Sequence, residues 1–362
     1  MKLVHVSNGP LPYHTPILNE LSSLVDLHVV YMSADHPLGS FQDLWGTEPR
    51  YSYEMHWSVP LRWRSLDFRA QASLLVTRKL SRLQPDTVLV ISWGPLTWEP
   101  LVWSRLNRAK AVMWSESTEF SGLLRGRVSN SIRRGVVSLA DAVVTESSSA
   151  TRYVRKLGAS KVVTSCLPSP HVPRSTSGLR AEGGGPPAYL FVGRFTSRKR
   201  PLEAIWAFQQ VASELPGATL TLVGDGPLRR EVAEAVGRAG DRVLLLPRLE
   251  GERLGSVYAS ADILLVPSLG EGWGLVVNEA LAYGLFVVAT DEVSSALDLI
   301  RPHSGRVVPA RDRAAFVRAL LQAGTTVQHT THARRMRARS VEGCTAANFA
   351  ADIERAALWA WS

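Results

Sequence analysis

The sequence predicts an α/β protein made of two doubly wound, Rossmann-like domains that face a central cleft. Three observations carry this. Short, nearly continuous apolar strands alternate with helix-period segments along most of the chain, the pattern of parallel sheets covered on both faces. A run rich in Pro, Gly and Ser, from Ser169 to Pro187, interrupts the alternation and reads as a linker. The length of 362 residues suits two domains of ordinary size.

Taken in order, the first half offers strands at Leu3–Val6, Leu27–Tyr31, Thr87–Ile91, Ala111–Trp114, Ala142–Thr145 and Val162–Cys166. Helix-period segments fall between most of them, at Phe68–Leu83, Trp98–Asn107, Arg127–Leu139 and Ser149–Leu157. The stretch from Asp35 to Trp63 has no period and reads as a long functional loop or a small inserted hairpin. After the linker the alternation restarts with strands at Tyr189–Val192, Thr219–Val223, Val243–Leu246, Ile263–Val266, Phe286–Ala289 and Arg306–Val308. The helices between them are Pro201–Glu214, Pro227–Arg238, Glu252–Ala259, Leu275–Tyr283 and Arg313–Leu321. The expected domains are therefore residues 1–170 and 188–345, joined by 171–187. Ligands in such sheets bind outside the carboxyl ends of the strands.

The charge balance, 41 Lys and Arg against 32 Asp and Glu, favours anionic partners without naming one. No nucleic-acid motif accompanies it, so nucleic acid is not an expected partner. Cys166 and Cys344 stand far apart with neither a disulfide framework nor metal spacing, which predicts a reducing compartment. The apolar run at the start is too short for a signal peptide, and no stretch reaches the length of a membrane span. These features together predict a cytoplasmic protein.

The densest chemistry lies in Pro267–Tyr283, P-S-L-G-E-G-W-G-L-V-V-N-E-A-L-A-Y. An apolar strand runs into a glycine-rich turn and then into a helix. Three glycines in five residues, Gly270-Glu271-Gly272-Trp273-Gly274, allow positive φ and close backbone approach to a ligand. Glu271 and Glu279 are eight residues apart, about 12 Å if helical, which is too far for two acids sharing a proton. The spacing suits a ligand with a hydroxyl-bearing group at each end and a phosphate at the helix N-terminus between them.

Earlier, Phe191-Val192-Gly193-Arg194-Phe195 leaves a strand, and Lys199 precedes a helix opened by Pro201. Arg194 and Lys199 either face a common anion or form a solvated basic turn with Arg198 and Arg200. In Gly224-Asp225-Gly226-Pro227 the carboxylate is expected to cap the following helix.

In order and spacing, F-V-G-R-F-x3-K, L-V-G-D-G-P, Y-A-S-A-D-I-L-L-V-P-S, E-G-W-G-L-V-V-N-E-A-L-A-Y-G, V-V-A-T and G-R-V-V-P resemble glycosyltransferase family 4. These are retaining, nucleotide-sugar-dependent enzymes of the GT-B fold. The likeness covers nearly the whole second domain. The stretch A-D-A-V-V-T-E-S-S-S-A-T-R-Y-V-R-K-L-G extends it to the end of the first.

The resemblance implies transfer of a hexose-type sugar from a nucleotide diphosphate sugar to an acceptor hydroxyl or amine, with no cofactor. It implies that Arg194 and Lys199 hold the donor diphosphate, that Glu271 faces the sugar and that Glu279 binds the ribose hydroxyls. Gly193, Gly272, Trp273, Gly274 and Leu275 would complete that pocket, with Arg248 beside the base and Gly9 near the phosphates. No metal is expected, since no D-x-D site is placed to bridge a diphosphate and the two cations do that work.

The histidine that many relatives carry after the fourth strand is absent here. Either Glu116 takes part of its role or the donor phosphate itself deprotonates the acceptor hydroxyl, and Glu116 is equally readable as a surface or capping carboxylate. His14 and His171 are further cleft candidates, each equally readable as incidental. Trp45, Trp57, Trp63 and Trp93 are candidates to shape an acceptor site. The basic run Arg62, Arg64, Arg69, Arg78, Lys79 and Arg82 suits an anionic acceptor, peripheral contact with a lipid surface, or a solvated helix face.

The acceptor is expected to be a saccharide, a lipid-linked saccharide or a small molecule. The competing readings are a sugar-nucleotide epimerase of the same fold and a non-catalytic sugar-nucleotide-binding subunit. The likeness also implies that the C-terminal helix, within 346–362, packs back on the first domain.

Overall fold

A computed structural model describes the chain apart from residues 12, 33–47, 57–58, 63–68, 73–75, 92–94, 121–126, 170–184 and 327–329. Trp45, Trp57, Trp63, Trp93, Arg64 and His171 lie outside the described residues. The chain forms two compact units. The first is Met1–Pro168 with Cys344–Ser362, and the second is Ser169–Gly343. The second unit is thus inserted into the first.

The first unit holds a seven-stranded sheet in the order β3-β2-β1-β6-β7-β8-β9. Its strands are β1 (Lys2–Ser7), β2 (Asp26–Tyr31), β3 (Ser52–Met55), β6 (Thr87–Ile91), β7 (Lys110–Ser115), β8 (Ala142–Thr145) and β9 (Val162–Thr164). All pair in parallel. Val4, Val88, Ala111 and Val143 are buried, as near-continuous apolar strands require when both faces are covered.

The stretch beyond Asp35 supplies an edge strand, β3, and one arm of a hairpin, β4 (Val59–Arg62) against β5 (Arg69–Ala72), antiparallel. The helix expected from Phe68 therefore starts only at Val76. Backbone pairing with β4 overrides the helical period of Arg69–Ala72. Within the basic run, Lys79 and Arg82 both pair with Glu54, at 2.8 Å each, so two of its six charges are already answered.

The last helix, Ala346–Trp361, opens on Thr345, whose hydroxyl accepts from the Asn348 N–H at 3.1 Å, a capping arrangement. Phe349, Ala350, Ile353, Ala356, Ala357 and Ala360 are buried along one face, which packs on the helix His14–Leu21 and on β7, β8 and β9. Burying Phe349 and Ile353 contributes about 2 kcal/mol each.

Cys166 and Cys344 are bonded to each other, with Cα atoms 5.0 Å apart. This corrects the expectation of unpaired thiols and removes the basis for a reducing compartment. The 178-residue separation hid the pair, because the second unit is inserted between the two cysteines and the chain leaves and re-enters the first unit at one place.

The second unit holds a six-stranded parallel sheet in the order β12-β11-β10-β13-β14-β15. The strands are β10 (Ala188–Val192), β11 (Thr219–Val223), β12 (Val243–Leu246), β13 (Ile263–Val266), β14 (Phe286–Thr290) and β15 (Gly305–Val308). The order reverses between β10 and β13, so the loops leaving those two neighbours open side by side at the carboxyl edge. Among the described residues, no helix is long and apolar enough to cross a membrane.

Candidate active site

In the second unit, Gly193 to Arg200 forms the loop from β10 to the helix Pro201–Ala212. A neighbouring loop braces it: Phe195 N–H donates to Asp225 O at 2.7 Å and Leu228 N–H to Phe195 O at 3.0 Å. A Cβ at Gly224 would stand 2.0 Å from Gly193 O, so only glycine permits this approach. Asp225 does not cap the helix, which starts at Arg229; its Oδ1 accepts from the Gly226 N–H at 2.7 Å.

The β13 loop carries Glu271 to the same place. Leu269 N–H donates to Arg198 O at 2.8 Å, and Arg198 Nη1 donates to Gly270 O at 3.1 Å. Lys199 Nζ lies 2.8 Å from Glu271 Oε1, a charge contact rather than an aligned hydrogen bond. Arg198 Nη1 lies 3.8 Å from Oε2. Gly193 lies beside the lysine stem, its Cβ position 3.7 Å from Lys199 Cδ.

The turn after Glu271 is held from the far side. Glu271 N–H donates to Glu292 O at 2.9 Å, and Ser295 Oγ donates to Trp273 O at 2.8 Å and Gly274 O at 2.9 Å. Gly274 has φ +100°, and a Cβ there would meet Val293 Cγ1 at 2.9 Å. The helix Leu275–Ala282 therefore starts from a fixed position, with first-turn N–H groups that no intrahelical carbonyl can satisfy. Trp273 is 5% exposed and donates its indole N–H to Asn278 Oδ1 at 2.9 Å, so it offers the site its backbone only.

Glu279, one turn further on, is buried, and Tyr258 Oη donates to its Oε2 at 2.6 Å. Burial pushes this carboxyl up from 4.5 to about 7, while the Tyr258 hydrogen bond and the Lys199 charge pull it down. Lys199 thus acts on both glutamates. Arg194 is exposed, and no carboxylate pairs with it among the described residues. Arg248 pairs at the surface with Glu250, at 2.6 Å. Among the described residues, no hydrogen bond or ion pair joins either arginine to the Lys199–Glu271 pair.

In the first unit, Gly9 O accepts from Ser7 Oγ at 3.1 Å. His14 opens its helix, is 2% exposed, and places Nε2 3.2 Å from Glu116 Oε1. Tyr13 Oη donates weakly to the same oxygen at 3.5 Å. Glu146, just past β8, is buried and accepts from Trp114 Nε1 at 2.9 Å. Burial, then the neighbouring Glu116 charge, hold the Glu146 carboxyl well above its ordinary range. Below them His5 is pushed down to about 3 by burial and then by His14, so it is neutral. His14, Glu116 and Glu146 each offer a ligand atom within 4.8 Å of the others; of the described side chains, this set is the one that could hold a metal ion.

The structure brings Lys199, Glu271 and Glu279 together in the second unit and His14 with Glu116 in the first, all residues that the sequence singles out. The sequence gives Arg198 only as part of a basic turn, and Tyr258 and Glu146 are not singled out in it. Tyr258 and Glu146 stand inside quoted motifs, Y-A-S-A-D and V-V-T-E-S, but nothing local marks their side chains as facing a site.

Two Rossmann-like units with these turns define a GT-B glycosyltransferase fold. The lipopolysaccharide outer core galactosyltransferase WaaB (apo form) matches over 100% of both chains with a TM-score of 0.77 and 15% identity. Anabaena Alr3699/HepE in complex with UDP matches over 98% of this chain and 99% of its own, with a TM-score of 0.73 and 16% identity. At these identities the likeness is one of fold.

Residues 186–325 match the family of glycosyl transferases group 1. The D-inositol 3-phosphate glycosyltransferase of Nocardia farcinica is 32% identical over 206 residues, 52% of this chain and 45% of the relative. The 2-deoxystreptamine glucosyltransferase of Streptomyces kanamyceticus is 36% identical over 114 residues, 31% and 29% of the two chains. The chain thus spans less than half the length of these relatives.

Proposed function

We propose that the protein is a retaining glycosyltransferase. It moves a hexose-type sugar from a nucleotide diphosphate sugar to a hydroxyl or amine of a saccharide, lipid-linked or small-molecule acceptor. One observation carries the donor half: Lys199 lies on buried Glu271 and also acts on Glu279, at the start of a helix that opens from the switch point of a parallel sheet.

Cleavage of the sugar–phosphate bond puts negative charge on the departing diphosphate. Lys199, Arg194 and the first-turn N–H groups of the helix Leu275–Ala282 supply positive potential for it. An ammonium has three donors, and Lys199 has none aligned on Glu271, so it can serve the phosphate while keeping the glutamate in place. Glu271 accepts from sugar hydroxyls, and Glu279 accepts from the ribose diol. Arg248 approaches the base. In the first unit Glu116, oriented by His14, receives the acceptor.

The UDP of the HepE neighbour supports a nucleoside diphosphate donor. No step requires a metal ion or an organic cofactor.

The test is incubation with a panel of nucleotide sugars, with and without candidate acceptors. Acceptor-dependent release of nucleoside diphosphate is expected, with the anomeric configuration of the sugar retained by NMR. Isomerised donor in the absence of acceptor, or binding without turnover, would replace this reading with an epimerase or a binding subunit.

A further inference from the structure

Glu279 has a partner that the proposed mechanism has not used. Tyr258 lies in the helix Gly251–Ser260 and is fully buried, with its hydroxyl 2.6 Å from Glu279 Oε2. Its ring stacks on Tyr283, with centroids 5.5 Å apart and planes at 18°. Tyr283 is seated in turn by Gly255, where a Cβ would stand 2.5 Å from the Tyr283 hydroxyl. The phenol is therefore held at its hydroxyl and on one ring face. Burial and the Glu279 charge hold its own ionisation well above the ordinary range, so it is a donor at every working pH.

We propose that Tyr258 is a positioning residue for the donor nucleotide: its hydroxyl holds Glu279 oriented and ionised to accept both hydroxyls of a vicinal diol. The inference rests on the reading of Glu279 as the ribose acceptor and adds a pH-dependent control to that site.

The chemistry follows from acceptor count. An ionised carboxylate accepts two diol hydroxyls at once, whereas a protonated one turns one of its oxygens into a donor. Glu279 sits at about 7, so near neutrality a small change in its surroundings decides which form is present. Among the described residues the groups acting on it are Tyr258, Lys199 and Tyr283. The arginines packed behind its helix are engaged elsewhere: Arg334 Nη2 on Asp262 Oδ1 at 2.7 Å and Arg337 Nη1 on Gly284 O at 3.0 Å. Removing the Tyr258 hydroxyl leaves Lys199 alone to stabilise the anion, and the carboxyl titrates higher.

Two measurements separate the inference from the reading beneath it. First, the Glu279 carboxyl is titrated by 13C NMR without nucleotide, assigned by its absence in Glu279→Gln. Tyr258→Phe is expected to raise the midpoint by about one pH unit. Placing 3-fluorotyrosine at 258, which keeps the shape and sharpens the donor, is expected to lower it, and this serves as the readout if Tyr258→Phe does not fold. An unmoved midpoint in both overturns the inference.

Second, affinity for UDP and GDP is measured from pH 6 to pH 9. Wild-type affinity is expected to rise through pH 7. Tyr258→Phe is expected to bind up to about tenfold more weakly at pH 7 and to approach the wild type at pH 9. An equal loss at every pH means that Tyr258 merely supports the fold, and the inference fails. If Glu279→Gln binds both nucleotides as tightly as the wild type, the ribose reading falls while the NMR result for Tyr258 stands or falls separately.

Discussion

Glu271 and Glu146 are almost equally hidden, at 5% and 3% exposure, and each lies past the carboxyl end of a parallel strand. Their surroundings differ in one respect. Glu271 has Lys199 at 2.8 Å and Arg198 at 3.8 Å. Glu146 has a neutral indole N–H and a second carboxylate, Glu116, for company. A buried carboxylate must find a cation or take up a proton. Glu271 has two cations beside it, whereas burial and a neighbouring carboxylate raise the Glu146 carboxyl. Glu271 and Glu146 should therefore respond oppositely when the carboxylate or its partner is neutralised.

The largest effect that can break this comparison is Lys199→Ala. It strips the near cation from Glu271 and removes a stabiliser of the departing diphosphate. Loss of one such group costs about 3 kcal/mol in barrier, so nucleoside diphosphate release at saturating donor and acceptor is expected to fall by about two orders of magnitude. Lys199→Arg is expected to recover part of the loss. Turnover left intact in Lys199→Ala would mean that the Lys199–Glu271 pair is scaffolding.

Next comes the disulfide. Replacing both Cys166 and Cys344 with Ser opens a 178-residue loop, and is expected to lower stability by about 2–4 kcal/mol. Both residues belong to the first unit. Calorimetry is therefore expected to show the first unit melting earlier, with nucleotide affinity held by the second unit unchanged. A fall in nucleotide affinity below the melting range would show that the second unit depends on the covalent closure.

How far the sequence disclosed all this depended on how local each feature is. Glu271, the three glycines and Glu279 sit within ten residues, and Lys199 follows a strand exit that the motif spacing marks, so the second unit's cluster was legible in the sequence. Tyr258 was not. It reaches Glu279 across 21 residues, from the helix before β13 to the helix after it, and an aromatic on an apolar helix face gives no sign that its hydroxyl has a task. Glu146 was hidden for another reason: a polar residue ending a strand usually meets solvent, whereas this one is buried and accepts from Trp114, a residue 32 positions earlier. The cysteine pair needed knowledge that one unit is inserted in the other, which spacing does not contain.

A smaller effect sharpens the electrostatic side. Glu279 titrates near 7 when folded and near 4.5 as an ordinary carboxyl, so between those values the folded state holds the extra proton. Stability from this group then falls as pH rises from 4.5 to 7 and stays low above. Glu279→Gln removes that dependence while keeping an acceptor for Tyr258. Melting experiments are expected to show a gain at pH 8 of at most about 3 kcal/mol and none at pH 4.5. No gain at pH 8 would mean that Lys199 and Tyr258 fully compensate the buried charge.

The smallest change is expected from Glu146→Gln, and its smallness is the point. A protonated glutamic acid and a glutamine have nearly the same shape, and either can accept from Trp114 Nε1. If Glu146 is held neutral by burial and by Glu116, the substitution leaves the melting temperature nearly unchanged in mildly acidic buffer. At higher pH, the wild type must give up its proton into a buried site beside another carboxylate, and the variant does not. The variant is then the more stable of the two, increasingly so as pH rises. A variant less stable than the wild type at pH 6 would mean that Glu146 is ionised and answered by a cation after all. Loss of that wild-type advantage on adding a chelator would identify the cation as a metal held with His14 and Glu116, and the two units would then handle buried charge in the same way.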